Sequence, residues 1–233
     1  MQTGYDGNLR NPCRRLKSFV LGSKKMRYCI LNSKGTMQTA SQFEGMMNRP
    51  KDSIRTMKTI FTPRLQLISC SLEIFEAIFQ GDESLARRLN IRVSGNWSEF
   101  GLEPIRYGYR ALENDPSLEG WWTHLVVHST ENRLIGTCGY KGKPDVDGLV
   151  EIGYEVMEAY RNKGIGTEIA QGLIKNAFSR PGLRIVQAHT LATENASAGV
   201  LRKCGFTFVK EYVDPDDGPI WQWRLEKTVF EKR

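Results

Sequence analysis

The chain has 233 residues, 40% hydrophobic and 25% charged, which is enough apolar material for one well-buried domain with an appendage. No apolar run approaches the roughly eighteen residues of a membrane-spanning helix. The five scattered cysteines (Cys13, Cys29, Cys70, Cys138, Cys204) contain no C-x-x-C pair, which argues against a zinc site or disulfide framework and for a reducing compartment, the cytoplasm.

The net charge of +7 is uneven: residues 1–56 hold eleven Lys and Arg against three acidic residues, and the remainder holds 22 against 23. Residues 1–56 are also poor in periodic apolar stretches, so they are expected to lack stable structure. Two roles fit an Arg-rich, acid-poor arm. One is an organelle transit peptide; the other is a nucleic-acid-binding tail, although Tyr5, Phe19, Tyr28 and Phe43 are too dispersed for a stacking platform.

The folded domain is expected over 57–233. A strand over Ile60–Ile68 opens it, then a helix over Ser71–Phe79 with Ser71 as N-cap and Ile74, Phe75, Ile78 and Phe79 as its buried stripe. A second helix is expected over Asp82–Leu89. Ile91–Leu118, interrupted by Pro104 and Pro116, reads as loop with a short helix near Ile105–Leu112. Trp122–His128 and Arg133–Tyr140 alternate as the arms of a hairpin across Ser129–Asn132. The strand Leu149–Val156, a helix to Phe178 and the strand Leu183–Thr190 form a βαβ unit, which requires parallel neighbours. A helix over Asn195–Lys203 and two strands, Phe206–Tyr212 and Ile220–Leu225, complete an α/β domain with a mixed sheet.

Chemistry concentrates where the Leu149–Val156 strand hands over to the helix. Arg161-Asn162-Lys163-Gly164-Ile165-Gly166 places two glycines at that junction, while Ile165, Ile169, Leu173, Ile174 and Ala177 recur at helical spacing. Glycine admits close approach of a ligand to the backbone. The first helical turn adds N–H groups without intrahelical acceptors and the positive end of the dipole, so an anion such as a pyrophosphate fits there. A dinucleotide fingerprint would require a third glycine where Ile169 stands.

Arg161-x-x-Gly164-x-Gly166, the preceding Glu151-Ile152-Gly153-Tyr154, and the run from Ala188-His189-Thr190-Leu191 through Asn195-Ala196-Ser197 to Lys203-Cys204-Gly205-Phe206 resemble the GNAT superfamily of N-acetyltransferases. The resemblance is nearest to the branch typified by ribosomal-protein-alanine N-acetyltransferases. It covers most of Ile60–Glu226. Met57 is followed by a T-x-R-L-x-L sequence (Thr62, Arg64, Leu65, Leu67) similar to the family's opening, which adds a third reading of residues 1–56: a mis-assigned start. The implied fold is a mixed, largely antiparallel sheet whose central parallel pair splays apart, with helices on both faces. The implied cofactor is acetyl-CoA, and the implied partner a primary amine; the chain would act as a monomer or homodimer, with no metal.

By the same resemblance, the cofactor contacts are expected from the backbone at Val156 and Met157, which would also stabilise the oxyanion, from Arg161, Asn162, Lys163, Gly164, Ile165, Gly166 and Thr167, and from Asn195. From sequence alone Asn195 is equally a helix N-cap. An alkylammonium with pKa near ~10.4 cannot attack a thioester before losing a proton, so a base is needed. Glu151 occupies the family's position for it, with partial burial expected to raise its pKa; Glu155, on the same face of the strand, is the second candidate. His128 and His189 are available because imidazole titrates near neutrality. Leu201 stands where the family commonly has a tyrosine acid, so the acid is absent, supplied by Tyr154 or Ser197, or unnecessary because a thiol with pKa near ~8.5 already leaves tolerably.

The expected activity is direct acetyl transfer to a primary amine, such as a protein N-terminus. A polyamine or aminoglycoside-like acceptor and a non-catalytic acyl-CoA-binding module are the alternatives.

Overall fold

A computed structural model describes residues 58–232. The expectations for residues 1–56 lie outside that range. Eight strands form one sheet in the order β1-β2-β3-β4-β5-β6-β8-β7, antiparallel throughout except for the central pair β5–β6.

The strand expected over Ile60–Ile68 is two strands, β1 (Thr59–Phe61) and β2 (Leu65–Ser69), paired as a hairpin. Pro63 has no N–H to contribute to a ladder, and the chain turns there, with Thr62 N–H donating to the Leu65 carbonyl at 3.0 Å. β3 (Thr123–His128) and β4 (Arg133–Tyr140) form the expected hairpin. β5 (Leu149–Val156), β6 (Ile185–Leu191), β7 (Thr207–Asp214) and β8 (Gly218–Glu226) follow within two residues of most expected bounds.

Helices cover both faces. α4 (Ile165–Phe178) and α5 (Ala196–Cys204) bury Ile169, Leu173 and Leu201 against Val150, Ile152 and Val186. α1 (Leu72–Phe79), α2 (Asp82–Leu89) and α3 (Glu103–Asn114) pack on the opposite face against Ile68, Leu125 and Leu134. Ser71 precedes α1 as anticipated, but its side chain makes no capping bond.

α3 is longer than the helix read over Ile105–Leu112. Its buried residues Ile105, Gly108 and Leu112 recur on one face, and Pro104 occupies the first turn, where no N–H is required. Gly108 lets this helix approach the sheet, because a Cβ there would lie 2.7 Å from Thr123 Oγ1. A short helix, α6 (Lys227–Phe230), ends the chain and was not anticipated; Phe230 packs on Phe178.

Candidate active site

β5 and β6 pair only from Leu149–Glu151 to Ile185–Gln187, although β5 runs on to Val156 and β6 to Leu191. The strands therefore part toward their C-terminal ends. Lys141 N–H bonds to the Glu151 carbonyl and Met157 N–H to the Ile135 carbonyl, so residue 151 of β5 and residue 157 just beyond its end turn these backbone groups to the β4 side. By strand alternation, Tyr154 and Val156 turn theirs into the gap. Such an unpaired edge accepts an extended, amide-bearing ligand as a substitute strand. The cofactor contact expected at Val156 fits this geometry. The one expected from the Met157 N–H does not, because Ile135 has already taken it.

The gap opens toward the 161–166 loop. Asn162 and Gly164 hold positive φ (60° and 77°), a conformation that turns successive N–H groups inward. The N–H of Glu168 is the first in α4 to reach an acceptor of its own turn, the Gly164 carbonyl, leaving those of Ile165, Gly166 and Thr167 open at the positive end of the helix. Gly164 is required by its left-handed backbone. Gly166 is not: a Cβ there would meet Val200 at 3.5 Å and Tyr154 at 3.7 Å, ordinary contacts. The fold tolerates a side chain at 166, so the open cradle above that position is what suits a pyrophosphate.

The side chains around the loop differ from expectation. The Arg161 guanidinium bonds the Val156 carbonyl (3.0 Å) and, at the surface, Glu99 (2.6 Å). Lys163 lies over the Tyr160 ring. Arg64, read from the sequence only as part of the opening T-x-R-L-x-L run, reaches the loop by bonding the Lys163 carbonyl (3.0 Å) and Glu168 (2.6 Å). Asn195 is the N-cap of α5, accepting from Ala198 N–H at 2.9 Å.

The two carboxylates share a face of β5 but not an environment. Glu151 is ion-paired to Lys141 and lies 3.0 Å from His189 Nδ1. Burial alone would raise its pKa, but the Lys141 charge and the His189 hydrogen bond overcome it and hold the group down at about 2. The expectation of a raised pKa at Glu151 is thus overturned. Glu155 is the raised one: burial dominates, opposed by hydrogen bonds from Thr137 Oγ1 (2.7 Å), Ser98 and the N–H groups of Glu99 (2.9 Å) and Phe100. It also lines a cleft with Ile105, Trp122, Thr137 and Lys141.

The description of an acetyltransferase (GNAT) domain matches residues 64–207. The chain belongs to the GNAT acetyltransferase family. The uncharacterized N-acetyltransferase YjdG of Bacillus subtilis (strain 168) is 29% identical over 152 residues, 64% of this chain and 90% of that protein. Among solved structures, RimL, a ribosomal L7/L12 alpha-N-protein acetyltransferase in complex with coenzyme A, matches with TM-score 0.53 at 16% identity over 74% of this chain and 99% of its own. A spermidine N-acetyltransferase SpeG chimera from Vibrio cholerae and hSSAT matches with TM-score 0.54 at 13% identity over 73% and 99%. The mixed sheet with its parted parallel pair is the GNAT fold. This GNAT protein is an N-acetyltransferase that uses acetyl-CoA, so the reading as a non-catalytic module is set aside.

Some of the other candidate residues are brought together over long sequence separations. Tyr154 and Ser197, alternatives for the acid in place of Leu201, are hydrogen-bonded to each other (3.2 Å) beneath the gap. His128 instead sits at the β3–β4 turn, near Glu131. Trp121 anchors the core against Tyr140 and Arg180, whereas Trp122 faces the cleft. Among the described residues no cluster of His, Cys, Asp or Glu could hold a metal, and no helix is long and apolar enough to cross a membrane.

Proposed function

We propose that this acetyltransferase acts on the α-amino group of a protein N-terminus, with Glu155 as the base that takes the nitrogen's proton as the new N–C bond forms. The observation that carries the reading is the composition of the cleft. Glu155 is the single carboxylate among its lining residues, the Lys141 ammonium on the same wall is already paired with Glu151, and Ile105, Pro104 and Trp122 supply apolar surface. One amine on a partly apolar body suits such a site. A polyamine, with several ammonium groups each needing an anion, suits it poorly.

Bound acetyl-CoA supplies the acetyl thioester and the thiol that leaves. Gly164, Gly166 and the N–H groups of Ile165–Thr167 hold its anionic end, while Tyr154 and the Val156 N–H offer backbone groups along the gap. The Val156 N–H is positioned to stabilise an oxygen gaining negative charge. Glu155, its proton affinity raised by burial, accepts the proton in the cleft. The Tyr154–Ser197 hydroxyl pair stores a proton on the opposite side of the sheet. The free, buried thiols of Cys70, Cys138 and Cys204 suit a reducing compartment, and we place the reaction in the cytoplasm.

The test is an acceptor panel with acetyl-CoA and thiol detection, comparing short peptides with free N-termini against spermidine. Peptides should be acetylated on the α-nitrogen at the higher kcat/KM. Glu155→Gln should lower kcat by about 10² to 10⁴ with coenzyme A affinity retained. A preference for spermidine would overturn the acceptor, and wild-type turnover in the Gln variant would overturn the base.

A further inference from the structure

One buried polar chain shares Lys141 with that cleft and otherwise has no part in the scheme. On the sheet face opposite α4 and α5, Lys141 at the end of β4 pairs with Glu151 on β5, whose carboxylate lies 3.0 Å from His189 Nδ1 on β6. His189 Nε2 lies 3.1 Å from the Tyr212 hydroxyl, which reaches over from β7. The His189 side chain is only 4% exposed. Gln187 steadies the array, contacting Glu151 at 3.4 Å and accepting from Gln222 (2.9 Å) and Arg224 (3.1 Å).

The donors fix the direction of this chain. An ionised carboxylate only accepts, so the imidazole presents Nδ1–H to Glu151; a neutral imidazole then keeps its lone pair on Nε2, where the Tyr212 hydroxyl donates. Its location is equally specific. β5 and β6 are last paired at Glu151 and Gln187, which makes His189 the next residue of β6 on that face, at the start of the gap. Tyr212 faces Ile220, and Ile220 faces Leu191, so the phenol stands at the same end of the sheet as Glu155.

An ammonium loses two protons on becoming an amide. The first must go before attack, since an ammonium has no lone pair. We propose that Tyr212 and His189 take this first proton, and that Glu151 positions the imidazole without itself being the base. The acceptor's N–H bond breaks with its electron pair left on nitrogen, its proton passes to the Tyr212 oxygen, and the Tyr212 proton passes to His189 Nε2. The imidazolium is held by Glu151 and later returns its proton to water through the phenol. Glu155 remains free for the second proton, so the inference rests on the reading above and divides the labour within it. The charges around the relay are Glu151 and Lys141 on one side, Arg224 through Gln187, Lys210 over the Tyr212 ring (5.4 Å), and Asp214 and Asp217 beside the phenol.

The experiment compares two peptide acceptors of similar size, one with an ordinary α-ammonium and one whose N-terminal residue is fluorinated so that its amine is already neutral at pH 7. Tyr212→Phe and His189→Asn should lower kcat/KM at pH 7 by about five- to tenfold for the ordinary acceptor, the range set by the neutral fraction of an α-amine, with the loss shrinking as pH rises, and should leave the fluorinated acceptor nearly unaffected. Glu155→Gln should slow both. Glu151→Gln should displace the acid limb of the rate profile. Tyr212 is partly exposed, so its Phe variant preserves the fold if His189→Asn does not. Full activity of Tyr212→Phe with the ordinary acceptor at pH 7, or equal losses with both acceptors, would overturn the relay. If wild-type protein ignores peptides, the acceptor reading fails instead, and the same pair of measurements is made with whichever amine it acetylates.

Discussion

Glu151 and Glu155 show how four residues of separation on one strand can set opposite proton affinities. Glu155 meets only neutral donors, so burial prevails; Glu151 meets an ammonium and an imidazole, and they prevail over burial. The consequence for stability has a definite sign. A carboxyl whose folded pKa is depressed from 4.5 to about 2 stabilises the fold fully above 4.5 and loses that contribution as pH falls from about 4.5 toward 2. Glu151→Gln should therefore lower the melting temperature at pH 7, where it leaves Lys141 buried beside a neutral amide. Its melting temperature should also fall less between pH 4.5 and 2 than that of the wild type. Parallel pH dependence of the two proteins in thermal melts would show that the Lys141–Glu151 pair is not the acid-sensitive contact. None of this pairing was legible in the sequence. Lys141, Glu151, His189 and Tyr212 lie 10, 38 and 23 residues apart in successive steps, and each type is ordinary in a strand.

Elements whose identity rests on local periodicity were readable, and α4 is the clearest. Its apolar stripe, the glycines ahead of it and the alternating strand before it are all contiguous, so both the helix and the anion cradle follow from adjacent residues. The division of β1 from β2 turned on one residue, Pro63, whose missing N–H outweighed the apolar pattern around it. α3 runs past the bounds read for it because Pro104 is accommodated in its first turn and its buried face packs on the sheet, and the packing is not encoded locally. At the start of α4, the structure separates ligand needs from fold needs. Gly166→Ala adds a methyl group that meets only ordinary contacts and removes a flexible glycine from a helix, so thermal stability should hold or rise by up to about 1 kcal/mol. Coenzyme A affinity by calorimetry should nevertheless drop at least about tenfold, roughly 1.4 kcal/mol. Unchanged affinity would remove the pyrophosphate from this turn.

At the scale of the whole molecule, the described fold is tied down at its first residues. The Lys58 carbonyl accepts the Ser69 N–H at 3.0 Å, and the Lys58 ammonium reaches the Glu119 carbonyl at 3.3 Å. Thr62 and Arg64 then fasten the edge hairpin to Glu168 on α4, at 2.6 Å each. Among the described residues, Lys58, Thr62 and Arg64 thus help to close the sheet and support the cradle. We propose that residues 1–56, which carry all of the excess positive charge, contribute little to folding or to catalysis. A chain beginning at Met57 should melt cooperatively within a few degrees of the full chain, the shift that about 1 kcal/mol produces in a domain of this size. It should keep its kcat and its coenzyme A affinity, while salt-sensitive retention on a polyanion such as heparin should fall with the loss of eleven basic residues. A larger drop in melting temperature would mean that residues 1–56 pack on the domain. A drop in kcat at unchanged melting temperature would instead place part of that segment over the acceptor cleft.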